Sequence, residues 1–475
     1  MLTGRGYYAH MSADAPRDRA TPNEAPPSSE PLNRRLIASW SMWSWGNATV
    51  SAVMTTFVFG TYIASGEFGD DGRGTQWLTA ANAIAGAVIA LTAPVIGQRA
   101  DSSGRRHLWL RINTLIVVVL VAACFFVRPE EGYLLLGVTL MAAMGMMNEF
   151  AELNYNAMLV DITDHRRMGR ISGLGWGAGY LGGIVILMIV YLGLIAGDPP
   201  HWFGLGEDDA VNIRMVAVVA AAWFLLWALP LLLSSPRTAD QQQVEKVSVL
   251  ESYRRLLRTI VGLWKDDRNT LWFLLASAIY RDGLSAVFTY GAILGVTVYG
   301  IAEGDVILFG IAANVVAALG AFAGGFFDDR FGPKAVIGAA LISLTGIAAL
   351  MFFLDQEVPF GPGDDPWFVL SPLLAFWIFG LALSFFVGPA QASSRAFLAR
   401  LAPGDRAGEM FGLYATAGRS ASFLTPALIS AFVGIFHDER FIVVAVFIIL
   451  VTGLGLLMLV RNPEGPARLR DHSAP

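Results

Sequence analysis

The chain has little of the chemistry that marks a soluble enzyme. Cys124 is the single cysteine among 475 residues, which excludes a disulfide framework and a cysteine metal centre. Six histidines are present, but none are spaced as metal ligands, so no metal site is expected. No Gly-rich loop ends in Lys-Ser or Lys-Thr, which argues against ATP drive from within the chain. Ser-x-x-Lys and Cys-His arrangements are missing as well. The chain is therefore not read as an enzyme, and no cofactor is expected. Charged residues make up only 15%, with a net charge of -5, which is small and says nothing about nucleic acid; no nucleic-acid partner is expected.

What fills the chain is apolar. Hydrophobic residues make up 55% of it, and mean hydropathy is +0.54, a balance typical of polytopic membrane proteins. Fifty glycines suit close helix packing in lipid. Apolar runs fall at 38–64, 76–97, 107–127, 133–158, 170–196, 211–234, 271–298, 305–327, 335–354, 367–391, 408–434 and 441–460. Each has the length of a spanning helix, about twice that of a barrel strand. The expected fold is an all-α membrane protein of 12 transmembrane helices in two pseudo-symmetric six-helix halves.

The expected organisation is a disordered cytoplasmic tail over 1–33, a first half over 34–234, a linker over 235–270, a second half over 271–461 and a cytoplasmic tail over 462–475. The linker contains an amphipathic segment, in which Arg254, Arg255, Arg258 and Lys265 stand beside Leu256, Leu257 and Leu263. It reads first as a helix joining the halves and second as a helix lying on an anionic leaflet. With both termini cytoplasmic, all but six of the 33 Lys and Arg fall inside. Arg73, Arg128, Arg214 and Arg440 lie outside, and Arg281 and Arg419 lie within spans. This is the positive-inside pattern, and the cytoplasmic membrane is the expected location. The expected partners are the lipid bilayer and a small-molecule substrate, with a proton or cation as candidate coupling ion, and the protein is expected to be a monomer.

The chain also repeats itself. Residues 151–180 align without gaps to 390–419, matching Arg167 with Arg406, Gly169 with Gly408, Gly173 with Gly412 and Gly179 with Gly418. Gly97-x-x-x-Asp101-x-x-Gly104-Arg105-Arg106 matches Gly325-x-x-x-Asp329-x-x-Gly332-x-Lys334. Two like-oriented halves place a binding site between them near the bilayer midplane.

Polar residues inside the spans mark a path through the bilayer, since they are costly in lipid. Span 7 carries Tyr280, Arg281 and Asp282 at its middle. Arg281 is the first choice for an anionic substrate group, because its planar fork binds carboxylates bidentately. Glu149, Glu152 and Asn156 share one helical face of span 4, where they could hold an ammonium or a proton, or form ion pairs with Arg281 or Arg419. Asn47, Gln391 and Arg419 complete the candidate substrate site. Trp43, Trp45 and Trp176 are read either as an aromatic wall or as packing residues.

The loop from Gly97 to Arg106 resembles the signature loop of the major facilitator superfamily. Gly97, Asp101, Gly104, Arg105, Arg106, Asp329 and Lys334 are accordingly expected to gate the cytoplasmic face. A narrower resemblance rests on Trp45-Gly46-Asn47-Ala48, the stretch from Ala151 to Ala157, Gly179-Tyr180-Leu181-Gly182-Gly183, Tyr280-Arg281-Asp282-Gly283, Gly388-Pro389-x-Gln391-x-Ser393-Ser394-Arg395 and Phe411-Gly412-Leu413-Tyr414. These motifs look like the branch that contains the autophagy-related vacuolar amino-acid effluxers and their bacterial relatives. The resemblance implies a twelve-helix secondary transporter working by alternating access, with spans 1, 4, 7 and 10 lining its cavity and amino-acid efflux as its activity. Ser44 stands where that family commonly has an aspartate, which would leave coupling to another group. The alternatives are cation-coupled uptake of a sugar or glycoside, and a non-transporting membrane sensor or scaffold.

Overall fold

The computed structural model describes residues 33–69, 73–234, 249–300, 303–353 and 372–462. The expected tails and the first part of the expected linker lie outside them. From Arg34 onward the described residues form one compact unit. Helices account for nearly all of the described chain, and eleven are long and apolar enough to cross a bilayer. The first run is also helical but divided. It comprises Arg34–Thr49, a π-helical stretch Val50–Phe57 and the short helix Phe59–Ala64.

The other spans run in order as Arg73–Ser102, Arg106–Ala123, Leu134–Ala157, Met168–Val190 and Val211–Leu233 in the first half. In the second half they are Arg268–Thr297, Glu303–Phe331, Pro333–Phe352, Pro372–Leu401, a broken span 11 and Phe441–Leu459. Span 11 consists of Ala407–Ala421 and Leu424–Phe436. The break has a local cause. Pro426 has no N–H to continue the helix across Ser422 and Phe423, and Asp282 of span 7 accepts from the Thr425 N–H (2.8 Å) and hydroxyl (2.6 Å) exposed there. A helix Val249–Asp266 precedes span 7, with only Asp267 between them.

Two seams join the halves: span 5 on span 8, and span 2 on span 11. Both use small residues in helical register. A Cβ on Gly173 would strike the Ala321 carbonyl and come within 3.1 Å of Gly325 Cα, while Gly412 sits against Ala93 and Pro94. Two of the matched glycine pairs of the internal repeat, Gly169 with Gly408 and Gly173 with Gly412, therefore lie where the halves approach most closely. Lipid supplies no hydrophobic drive for helix association, so this close packing carries the contact. Aromatic packing secures the first half. Trp40 and Trp43 are fully buried, and each stacks on Tyr155 at 4.3 Å.

Gly173→Val is expected to overpack the span 5–span 8 seam at a cost of about 1–3 kcal/mol, lowering the melting temperature in detergent. Gly86 has nothing within 4 Å of an added Cβ, so Gly86→Ala should leave the melting temperature unchanged or raise it slightly.

Candidate functional site

A cavity of about 780 Å³ lies between the halves. Its walls come from spans 1, 4 and 5 on one side and spans 7, 8, 9, 10 and 12 on the other. Spans 1, 4, 7 and 10 were expected to line it; spans 5 and 8 contribute as well, through Trp176, Tyr180, Phe309 and Asn314. The cavity runs from Arg395 toward Phe57, Phe309 and Phe376, at the end opposite the signature loops.

Its polar centre is Glu152. Asn47 Nδ2 and Asn148 Nδ2 both donate to Glu152 Oε1 at 2.9 Å. Two amides therefore meet one carboxylate oxygen, while Oε2 has no protein hydrogen bond among the described residues. Asn47 Oδ1 and Trp176 Nε1 are buried without a partner. Unmet donors and acceptors of this kind are costly unless a guest or water satisfies them. Arg395, buried at the cavity's closed end, donates to Asn156 Oδ1 at 3.1 Å and to Ser172 Oγ at 2.9 Å. Its guanidinium also lies over Trp40 at 4.9 Å and near Trp176 at 5.7 Å. It belongs to span 10, yet all these partners are in the first half, so it bolts the halves together below the cavity.

The structure brings Asn47, Glu152 and Asn156 together at the cavity. Six expected residues lie outside the lining. Glu149 pairs with Arg419, joining spans 4 and 11. Arg281 lies 3.9 Å over the Tyr414 ring, with its buried Nη1 unpartnered. Tyr280 shares a hydrogen bond with Ser394 Oγ (2.7 Å), Asp282 holds the break in span 11, and Gln391 is half-buried on span 10. Of the tryptophans, Trp43 and Trp176 line the cavity, whereas Trp45 packs on Trp223 and Trp227 of span 6.

The signature loops form two matching inter-half contacts. Asp101 accepts from the backbone N–H of Gly408 (3.1 Å) and Glu409 (2.8 Å), in the first turn of span 11. Asp329 accepts from Gly169 (2.9 Å) and Arg170 (3.3 Å), in the first turn of span 5. Each carboxylate thus caps a helix of the other half, where unpaired N–H groups and the helix dipole favour negative charge. Arg106 holds Asp101 (2.6 Å) and Asp161 (2.6 Å), and Arg400 pairs with Asp328 and Asp329. Gly97 packs directly on Gly408. Gly104 turns the chain at φ 60°, and Arg105 is exposed beside it. Lys334 instead donates to the Met458 carbonyl (3.1 Å) and the Val460 carbonyl within the second half. Sequence reasoning did not select Asp161, Asp328, Arg170, Arg400 or Arg395. Arg395 stood in a quoted motif and Asp328 adjoined Asp329, while Asp161, Arg170 and Arg400 lay in the aligned repeat windows without being singled out.

A family model described as vacuole effluxer Atg22 like matches residues 151–468. The MFS-type transporter YxiO of Bacillus subtilis, itself uncharacterised, is 26% identical over 433 residues, covering 89% of this chain and 94% of its own. Autophagy-related protein 22-1 of Neosartorya fischeri is 24% identical over 312 residues, 62% of this chain and 48% of its own length. The chain therefore spans about half the length of such fungal relatives. Among solved structures, the E. coli fucose:proton symporter FucP has a TM-score of 0.65 at 13% identity, over 90% of this chain and 97% of that one. A bacterial homologue of the iron transporter ferroportin, in its outward-facing state, has a TM-score of 0.63 at 12% identity, over 90% and 98%. At such identities these two share the fold alone.

Asp101→Ala removes a charged cap and is expected to cost about 1–2 kcal/mol, measured as a lower melting temperature in detergent. Arg105→Ala, outside the capping contacts, should leave it within about 0.5 kcal/mol of the native value.

Proposed function

Because the chain belongs to the family of Atg22-like vacuole effluxers and is a major facilitator membrane transporter, we propose that its solute is a small amine-bearing polar molecule, with a neutral amino acid as the first candidate. The observation that carries this reading is Glu152. Its carboxylate faces the cavity, oriented by Asn47 and Asn148, with Oε2 open to a guest. An ammonium group would be met there by a charge-assisted hydrogen bond. The Trp176 N–H, at the same cavity, suits an acceptor such as a carboxylate oxygen. Phe288, Phe309 and Phe376 offer apolar wall to a side chain.

Transport proceeds by alternating access. The signature loops close one face, and the basic residues gathered there make it the cytoplasmic face. The cavity then belongs to an outward-facing state. Opening the other face requires Asp101 and Asp329 to leave their helix ends and Arg395 to leave Asn156. Asn156 lies one turn from Glu152 on span 4, so a solute at Glu152 acts directly on the helix that holds the bolt. Energy comes from the solute gradient or from a coupled proton or cation. Efflux is the direction suggested by the family's description.

A cation-coupled sugar reading has one observation in its favour: the aromatic surface of Trp176 and Tyr180 along the cavity, which suits stacking against a pyranose ring. Counterflow separates the two. Proteoliposomes loaded with unlabelled neutral amino acids should take up labelled ones without an ion gradient, and Glu152→Ala should reduce this by at least about tenfold, the loss of one charge-assisted contact. Exchange of sugars with none of amino acids would replace the first reading by the second.

A further inference from the structure

The helix Val249–Asp266 plays no part in the cavity or in the capping contacts, yet it presents an unusual surface. Two contacts fix its seat. Tyr253 Oη donates to the Leu91 carbonyl (3.3 Å), and Thr259 Oγ1 accepts from Arg406 (2.7 Å). Ser252 and Leu256 are buried on that side. The opposite side is open. Leu257, Val261 and Trp264, spaced i, i+4 and i+7 on one stripe, are 63%, 50% and 58% exposed. Beside them runs a second stripe of Arg254, Arg258 and Lys265, all exposed.

Its depth follows from Leu91, which lies ten residues before Asp101 on span 2, about 15 Å along the helix axis. Leu91 is itself 66% exposed on a membrane-spanning helix, so it faces lipid. A helix whose Tyr253 reaches that carbonyl lies at the edge of the bilayer, not above it in water. Its other end leads after a single residue into span 7. An apolar stripe flanked by a basic stripe, at that depth, matches the boundary between acyl chains and anionic headgroups.

We propose that the helix Val249–Asp266 is a membrane-surface element that binds anionic lipid headgroups along Arg254, Arg258 and Lys265. Its apolar stripe is immersed in the acyl boundary. Glu251 already engages Arg258 (2.8 Å) and, at longer range, Arg254 (3.9 Å), so headgroup phosphate competes with that carboxylate at both arginines.

The test uses the full chain in nanodiscs of phosphatidylcholine with or without phosphatidylglycerol. A fluorophore on Val261→Cys should be quenched severalfold more by lipid-bound nitroxide than the same label on the exposed loop residue in Asp405→Cys. After purification in detergent, the combined Arg254→Gln, Arg258→Gln and Lys265→Gln variant should retain roughly tenfold less phosphatidylglycerol than the native chain. Arg254→Lys with Arg258→Lys, which preserves charge, should retain it. Labels at both positions that respond alike to aqueous quencher would overturn the proposal, as would native-like phosphatidylglycerol retention by the glutamine variant.

Discussion

Two carboxylates, each capping a helix that belongs to the other half, hold one end of this molecule shut. A helix begins with N–H groups that have no partner of their own. Asp101 supplies acceptors to span 11, and Asp329 does so for span 5. Such a contact demands that the backbones nearly touch, which Gly97 against Gly408 and Gly325 against Gly169 allow. Capping and glycine packing therefore form or fail together. A small separation of the halves loses both, and water then satisfies the freed groups.

The inter-half contacts were legible in the sequence because they rest on backbone rules. A glycine spaced four residues before an aspartate, repeated in each half, states both the close approach and the charge that meets a helix end. The spans were legible by length and hydropathy, and Pro426 gives a reason for the break in span 11. The rotation of each helix was not legible. Arg281 sits at the polar midpoint of span 7, but the helix turns it onto Tyr414 and away from the cavity. Arg395 failed for another reason. Span 10 was expected to end at 391, where polarity rises, but the helix continues to Leu401. The added turns carry polar residues that meet the first half instead of water, so hydropathy could not separate a buried seam from an exposed loop.

The charges within the bilayer region divide between two sides of the molecule. Glu149 and Arg419 face each other where span 4 meets span 11, while Glu152, one turn along from Glu149, turns to the cavity. Neighbouring carboxylates on one helix thus do different work because three residues of helix separate their directions by about 60°. Arg395 closes the cavity below Glu152 and ties span 10 to spans 1, 4 and 5. Span 4 carries both Glu152 and Asn156, the partner of Arg395, and span 5 carries both Ser172, its other partner, and the Gly169 N–H capped by Asp329, so the cavity, the Arg395 contact and one cap are linked through adjoining helices.

The most direct measurement is the distance across the closed end, by double electron–electron resonance between spin labels on Ser103→Cys and Asp405→Cys. The account predicts one short distance in the native background and a second, longer population when Asp101→Ala and Asp329→Ala are introduced together. A distribution unchanged by loss of both caps would contradict it, because the halves would then be held shut by something other than the carboxylates.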